Sequence, residues 1–233
     1  MKLALILLTL FSLPAMAAES SLYDFSWLDK DKEIYVLQNR RFKKDNEFYL
    51  GATGAMTLSG AFIDSFGATV RGGYFFREDW GIEFVFGKNS GDENDTAKAV
   101  KEQGTVPYYR KIDTYTGAMF MWSPFYSKIN TFNKIFYFDW MFGLGAANIK
   151  TLDNRNKFTP GSGDGLTSEN TFGALWNTGF RFYINDTWSV RLDVTGLIYQ
   201  ADKSKQQEGS SQVSTASKIY HSYDLGIGLN YQF

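Results

Sequence analysis

Few residues in this 233-residue chain could support enzymatic chemistry. One histidine and no cysteine exclude a thiolate nucleophile and leave too few ligands for a transition-metal site. His221 precedes Ser222, but neighbouring strand residues project to opposite faces, so the two would not converge as base and nucleophile. Asp92, Glu93 and Asp95 share one polar segment that lacks the spacing of a complete calcium site. We therefore expect no catalytic residues, no metal and no cofactor.

Seven charged residues form a second candidate constellation. Each lies in a segment where apolar and polar residues alternate, and each has the opposite parity from the apolar residues. They are Arg71, Glu83, Asp139, Arg181, Arg191, Asp193 and Asp224. The apolar faces of the six clearest segments carry no charged residue, although 21% of the chain is charged. The charges are therefore sorted by face, which requires elements with a period of two.

The alternation predicts eight β-strands that would position these charges. The predicted strands are residues 48–59, 66–76, 80–87, 112–125, 135–150, 171–184, 188–199 and 219–233. The last alternates most clearly, with Tyr223, Leu225 and Ile227 on one face and Asp224 and Gly226 on the other. An all-β domain over residues 48–233 follows from this pattern.

The first residues indicate an exported protein. Lys2 is followed by an apolar run over residues 3–13, and Pro14 and the small residues Ala15 and Ala17 complete the pattern of a secretory signal peptide over residues 1–17. The alternative, an uncleaved membrane anchor, is disfavoured because the run is shorter than a spanning helix. A chain exported in this way could enter a second membrane only as strands.

The sorted faces fit two architectures. In a soluble sandwich or lipocalin-like barrel the apolar face would point inward, whereas in an outer-membrane barrel it would face lipid and the charges would lie in the lumen. The uncharged, apolar face carries too many aromatic side chains to fit inside a small barrel. The opposite face is rich in glycine, as a crowded eight-stranded lumen requires. Rings also cluster at strand ends, as membrane interfaces favour. One predicted girdle comprises Trp80, Trp122, Phe125, Phe182, Trp188, Tyr231 and Phe233, and the other Phe62, Phe66, Phe86, Tyr115, Tyr199 and Tyr223. We therefore predict an eight-stranded antiparallel up-and-down transmembrane β-barrel.

Connection lengths predict the orientation. Residues 77–79 and 185–187 are short turns, and residues 126–134 form an intermediate connection. Long polar stretches on the other side are predicted as loops at residues 88–111, 151–170 and 200–218. Outer-membrane barrels keep short turns on the periplasmic side and long loops outside, so both termini are expected in the periplasm. Tyr108, Tyr109 and Phe158 in the outer loops could contact a partner.

Residues 18–47 are predicted as a periplasmic lead-in before the barrel. They contain six basic residues, namely Lys30, Lys32, Arg40, Arg41, Lys43 and Lys44. A solvated basic face is favoured, with a site for anionic lipid or another envelope component as the alternative. The formal charge of the whole chain is −1, which argues against nucleic acid as a partner.

Taken together, the signal peptide, eight alternating strands and the ending Leu229-Asn230-Tyr231-Gln232-Phe233 resemble the small outer-membrane β-barrel proteins of Gram-negative bacteria, such as the OmpA-, OmpX- and OmpW-like barrels. Residues 33–42 (EIYVLQNRRF), followed by Phe48-Tyr49-Leu50, also resemble the outer-membrane β-barrel domain family. The resemblance implies the outer membrane as location, with its lipid and lipopolysaccharide as surroundings. It also implies that the barrel-assembly machinery recognises the last strand through Tyr231 and Phe233.

Two roles remain open for the luminal charges. Neighbouring strands should bring Arg71 near Glu83, and Arg181 and Arg191 near the three aspartates. An eight-stranded interior is just wide enough for side chains, which favours a salt-bridged, closed lumen in a non-enzymatic protein that displays its loops for envelope structure or surface interaction. The alternative is a narrow channel in which these charges select ions or small solutes. The sequence identifies no extracellular partner.

Overall fold

The computed structural model describes residues 40–131, 134–158, 165–206 and 213–233, without the side chains of residues 157–158, 203–206 and 213–216. The predicted signal peptide and most of the predicted lead-in lie outside these residues. Residues from Arg40 to Phe233 form one compact unit. Within the described ranges, no helix is long and apolar enough to cross a membrane.

Eight antiparallel strands close into a barrel, as predicted. The strands are β1 (Glu47–Thr57), β2 (Ile63–Phe75), β3 (Trp80–Glu93), β4 (Arg110–Thr131), β5 (Lys134–Asp153), β6 (Thr167–Tyr183), β7 (Trp188–Gln206) and β8 (Val213–Gln232). Each strand pairs with the next, and β8 closes the ring by pairing with β1 from Tyr49 opposite Gln232 to Thr57 opposite Asp224. Helix α1 (Asp95–Glu102) and a 3₁₀ turn (Arg155–Phe158) lie in the described parts of the connections.

The apolar face of the strands points outward. In β8, Leu225, Ile227 and Leu229 are exposed, whereas Asp224 and Asn230 are buried. The same split runs around the barrel, where 32 large hydrophobic side chains are exposed among the described residues. Water would not favour so continuous an apolar surface, whereas the hydrocarbon of a bilayer would. The prediction that the uncharged face meets lipid is confirmed.

The strands extend further than predicted at one end of the barrel. The connections there join β1 to β2, β3 to β4, β5 to β6 and β7 to β8, and we call this the loop end; the opposite end is the turn end. β3 continues to Glu93, β5 to Asp153 and β7 to Gln206, through segments predicted as loops. The predicted turn-end connection at 126–134 is also largely strand. Outside lipid, ladder hydrogen bonds alone maintain a strand, so pairing continues where the apolar alternation stops.

Aromatic side chains mark the outer surface at the turn end. Trp80 stacks on Trp122 with ring centroids 5.7 Å apart, and Trp188 packs edge-on against Tyr231 at 5.0 Å. The second predicted girdle is wrong for Tyr115 and Tyr199, which are both buried in the lumen. Tyr199 has the parity of the charged residues of β7, so its direction follows from the strand alternation and not from its position at a strand end.

The lumen is so crowded that glycine is required at points of close approach. A Cβ atom at Gly73 would lie 2.4 Å from the ring of Tyr49, which is buried and hydrogen-bonded to Glu83. On the outer face, a Cβ at Gly54 would meet no heavy atom within 4 Å. Alanine substitutions at these two glycines can therefore be compared. Both change the backbone freedom of a strand glycine, but only the substitution at Gly73 adds a steric clash.

Gly73→Ala should lower the free energy of unfolding by about 1–3 kcal/mol, because the added methyl group overpacks the lumen. Gly54→Ala should change it by less than about 0.5 kcal/mol, because the new methyl group meets only lipid. Urea titration of the barrel refolded in lipid vesicles measures both. Equal effects of the two substitutions would contradict the close packing of Tyr49 against Gly73.

Candidate functional site

All seven charged residues selected from the sequence lie inside the barrel, and none is more than 4% exposed. They come from six different strands: β2, β3 and β5 to β8 contribute inward-facing positions, with β6 supplying Arg181 and β8 supplying Asp224. The alternation of each strand turns these side chains away from lipid. The lumen is therefore the candidate site, and its contents form three layers from the turn end to the loop end.

The central layer is a buried network of two arginines and two carboxylates. Glu83 Oε1 lies 2.9 Å from Arg71 Nη1, and Glu83 Oε2 lies 2.6 Å from Arg191 Nη1. Asp193 Oδ2 lies 3.1 Å from Arg71 Nη2 and 3.0 Å from Arg191 Nε. Two positive and two negative charges therefore balance within one hydrogen-bonded cluster, as burial in a low dielectric requires.

One of these contacts crosses the full diameter of the barrel. Glu83 belongs to β3 and Arg191 to β7, and in a closed ring of eight strands these two are four strands apart in either direction. Arg71 of β2 also reaches Asp193 of β7, which lies three strands away around the ring. Direct contact between opposite walls means that side chains occupy the cross-section at this level.

Neutral polar groups complete the hydrogen bonding of the central layer. Asn177 donates to Asp193 at 3.0 Å and to Thr195 at 2.9 Å, and its carbonyl oxygen accepts from Arg191 at 2.7 Å. The Tyr49 hydroxyl donates to Glu83. Strands β1 and β6 thus also contribute to the network, so that its geometry is held from several sides of the barrel.

Apolar side chains are also buried in the lumen. They form one cluster of buried residues. Its members include Met119, Met121, Met141, Ile149, Leu175 and Leu197. Methionine is flexible and fills irregular space between less adaptable side chains.

The turn-end layer contains a lysine that the sequence did not assign to the lumen. Lys44 is completely buried, and its Nζ lies 2.7 Å from both Asp139 Oδ2 and Ser123 Oγ. Tyr183 also donates to Asp139. Burial lowers the pKa of Lys44, and the nearby Asp139 opposes that effect. The lead-in therefore enters the barrel mouth just before β1 begins.

Further residues of the lead-in cover this mouth. Phe42 is buried and stacks on Tyr183 with centroids 4.7 Å apart. Arg40 pairs with Glu78 at 3.3 Å and Asp79 at 3.0 Å in the turn between β2 and β3. The expectation of a solvated basic face is therefore wrong for Arg40 and Lys44, because unpaired carboxylates at the mouth provide partners for them.

Two of the expected ion pairs are replaced by other contacts. Asp224 accepts a hydrogen bond from Thr57 at 2.6 Å and makes no ion pair within the described part of the chain. Arg181 is fully buried, but its guanidinium lies over the rings of Tyr49 at 4.4 Å and Phe75 at 5.3 Å. Arg181 faces Asp139 across the β5–β6 ladder. The carboxylate of Asp139, however, forms its ion pair with Lys44. Cation–π contact takes the place of the expected pair.

The loop-end layer is a second ion cluster, which the sequence reading missed. Arg110 lies 2.9 Å from Asp153 and 2.9 Å from Glu169, and Arg155 contacts the same two carboxylates, at 2.7 Å from Asp153. All four residues fell in or beside segments predicted as loops. Arg110 and Asp153 are partners in the β4–β5 ladder. Their pairing could be inferred only after both strands were known to extend to these residues.

Comparison with known proteins identifies the family. The family model described as "Outer membrane protein beta-barrel domain" matches residues 3–233. The chain belongs to this family. It is an outer-membrane protein, and the short connections of the turn end mark the periplasmic side in such barrels. No curated protein matches the chain.

The chain is also similar, at low sequence identity, to solved outer-membrane proteins. Neisserial surface protein A is 14% identical, with 80% of this chain and 97% of that chain covered and a TM-score of 0.47. OprG from Pseudomonas aeruginosa is 14% identical, with 82% and 98% covered and a TM-score of 0.47. The N-terminal β-barrel domain of Pseudomonas aeruginosa OprF is 13% identical, with 81% and 98% covered and a TM-score of 0.45.

The residues considered for chemistry are not assembled into a site in this outer-membrane barrel. His221 is exposed and Ser222 is buried, so their side chains diverge as predicted. Asp95 pairs with Lys98 at 2.9 Å, and Glu93 pairs with Lys101. Among the described residues, no group of three or more histidine or acidic side chains could hold a metal ion.

The residues of the predicted assembly signal lie on the outer surface at the turn end. The rings of Tyr231 and Phe233 pack edge-on with centroids 4.9 Å apart, and both are exposed. The backbone N–H of Phe233 donates to the carbonyl of Phe48 at 3.0 Å, which joins the end of the chain to β1. The terminal aromatic is thus part of the seam where the barrel closes.

Proposed function

We propose that this protein is a non-enzymatic outer-membrane barrel with a closed lumen, which serves the envelope or surface interactions through its loop end. The hydrogen bond between Glu83 and Arg191 carries the proposal, because it joins opposite walls of the barrel. An ion or solute could pass only if this contact and the apolar groups packed around it moved aside. Breaking a buried pair leaves uncompensated charges and is costly.

The turn-end layer supports the same conclusion independently. Lys44, Phe42 and Arg40 cover the periplasmic mouth through contacts with Asp139, Tyr183 and the β2–β3 turn. A solute leaving the central layer would meet this second obstruction. Two successive barriers in one narrow lumen favour a structural role over conduction.

Planar-bilayer recording tests the proposal against its alternative, a narrow channel for ions or small solutes. We expect the refolded wild-type barrel to show no stable single-channel steps, because side chains fill the cross-section. Heat-modifiable gel mobility verifies that the inserted protein is folded. Stable steps in the wild type that change in Arg181→Ala or Asp193→Ala would overturn the closed lumen and support the channel.

We also propose that the barrel-assembly machinery recognises β8 through Tyr231 and Phe233. Both rings remain accessible beside the seam where β8 pairs with β1. The surrounding lipid and lipopolysaccharide contact the exposed apolar face. An enzymatic role would require hydrolysis of lipid or peptide that disappears in His221→Ala, and the exposed position of His221 away from Ser222 argues against it.

A further inference from the structure

A cavity opens at the loop end, where the barrel wall is uneven. β1 pairs with β8 only as far as Thr57 opposite Asp224, whereas β8 extends back to Val213 beside β7. The barrel wall formed by β1 between β8 and β2 therefore extends less far towards the loop end than the wall formed by β7 and β8. A cavity of about 380 Å³ lies there, bounded by the β1–β2 connection, the start of β4 and the inner face of β8. This volume falls within the range of small-molecule sites.

The charged residues that line this cavity are all basic. Arg110, Lys111 and Lys218 contribute to its wall, and none of its lining residues is acidic. The charge of Arg110 is balanced by Asp153 and Glu169 in the loop-end layer. The two lysines are not balanced in this way.

Each lysine retains capacity for an anion. Lys111 donates one hydrogen bond to the carbonyl of Gly91 at 2.6 Å, which is a neutral partner. Lys218 lies over the ring of Tyr220, 5.7 Å from its centroid, and makes no ion pair with any described side chain. An ammonium group has three donors, so both can bind an anionic oxygen without losing these contacts. Asp224 lies deeper than the cavity-lining Ser222 and is bound to Thr57.

Aromatic rings and hydroxyl groups form the rest of the wall. Four tyrosines line the cavity, and two of them, Tyr199 and Tyr220, stack with centroids 5.8 Å apart. Ser59, Ser65 and Ser222 add hydroxyl groups. Tyrosine offers an apolar ring face together with a polar tip, and such a surface suits a ligand that is itself amphipathic and rich in hydroxyls.

We propose that this cavity binds an anionic saccharide, with sugar rings against the tyrosines and an acidic substituent between Lys111 and Lys218. The inference rests on the proposed function, since a closed lumen makes the cavity a pocket with a floor and not the entrance of a pore. Neither the lysines alone nor the tyrosines alone would select this class; their combination in one recess does. The saccharide comes either from the membrane's own lipopolysaccharide or from outside the cell.

The proposal is tested by titrating the refolded barrel in phospholipid nanodiscs with a chondroitin disaccharide that carries one carboxylate and one sulfate. We expect the chondroitin disaccharide to bind with an affinity that falls as the salt concentration rises. A neutral disaccharide of the same size and inorganic sulfate should each bind more weakly. Lys218→Gln should weaken binding about tenfold, the loss expected for one charge-assisted hydrogen bond. Lys128→Gln, an exposed lysine in the turn-end hairpin, is the matched control and should leave binding unchanged.

Absence of binding, equal binding of the neutral disaccharide, or an unaltered affinity in Lys218→Gln would each overturn the proposal. Bilayer recordings on the same preparation separate this result from the closed lumen: channel steps would refute the proposed function whatever the titration shows. Nanodiscs that contain lipopolysaccharide identify the source. Loss of disaccharide binding in them indicates that the membrane's own saccharide fills the site, and retained binding indicates a ligand from outside.

Discussion

Glu83→Ala should lower the free energy of unfolding by about 3–5 kcal/mol, the cost of removing one partner from a buried charge network. Among the carboxylates of the described residues, Glu83 alone contacts Arg71, Arg191 and the Tyr49 hydroxyl together. Its loss would leave two guanidinium groups in a dry interior with Asp193 as their remaining carboxylate. Urea unfolding in lipid vesicles, followed by tryptophan fluorescence and heat-modifiable gel mobility, measures the change.

Glu102→Ala is the control for this experiment, because Glu102 is exposed at the end of α1 outside the barrel. It should alter the free energy of unfolding by less than about 0.5 kcal/mol. A Glu83→Ala barrel as stable as this control would show that the arginines find water or other partners. The lumen would then be hydrated, and the closed barrel would lose its principal support.

Ile227→Arg should destabilise the barrel by about 2–4 kcal/mol, because it places a charge near the midplane of the bilayer. Ile227 is exposed on the outer face of β8, midway between Tyr231 at the turn end and Tyr223 towards the loop end. A guanidinium there would meet acyl chains with no luminal partner within reach. Urea titration in vesicles with full insertion measures the cost.

Ile219→Arg provides a control of the same residue type, strand and face. Ile219 is also exposed, but it lies beyond Tyr223 towards the loop end, where water and lipid headgroups are available. Its substitution should cost only about 0–1 kcal/mol. Equal costs at the two positions would mean that the outer surface of β8 does not cross a hydrocarbon layer, which would contradict the orientation of the entire apolar face.

Some of the ion pairs in the lumen could be predicted from the sequence, and others could not. Arg71 and Glu83 lie on adjacent strands, and their proximity was predictable from the short connection between β2 and β3. The contact between Glu83 and Arg191 was not, because it depends on which strands become opposite when the barrel closes. Lys44 was expected in solvent because it precedes the alternating segments. No sequence pattern around a basic residue in an irregular segment indicates that it will pair with a buried carboxylate.

The cavity at the loop end required the structure for a related reason. Its lysines and tyrosines come from the connection before β4 and the start of β4, and from β7 and β8, which lie much later in the sequence. The sequence predicts Tyr108 and Tyr109 in an outer loop, where they could contact a partner, but it also predicts Tyr199 in a lipid-facing girdle. The inward direction of Tyr199 was implicit in the alternation of β7, whereas its stacking on Tyr220 depends on the β7–β8 register.

The order of residues along the chain was sufficient to determine the strand number, the closed antiparallel topology and the face that meets lipid. These properties follow from a period-two alternation, which is local and is imposed on each spanning strand separately by the hydrocarbon. Tertiary structure alone decided which charges meet across the lumen, how Arg40, Phe42 and Lys44 cover the mouth at the turn end and where the loop-end cavity forms. These contacts join strands distant in sequence, and their free energies depend on distances that exist only after the ring has closed.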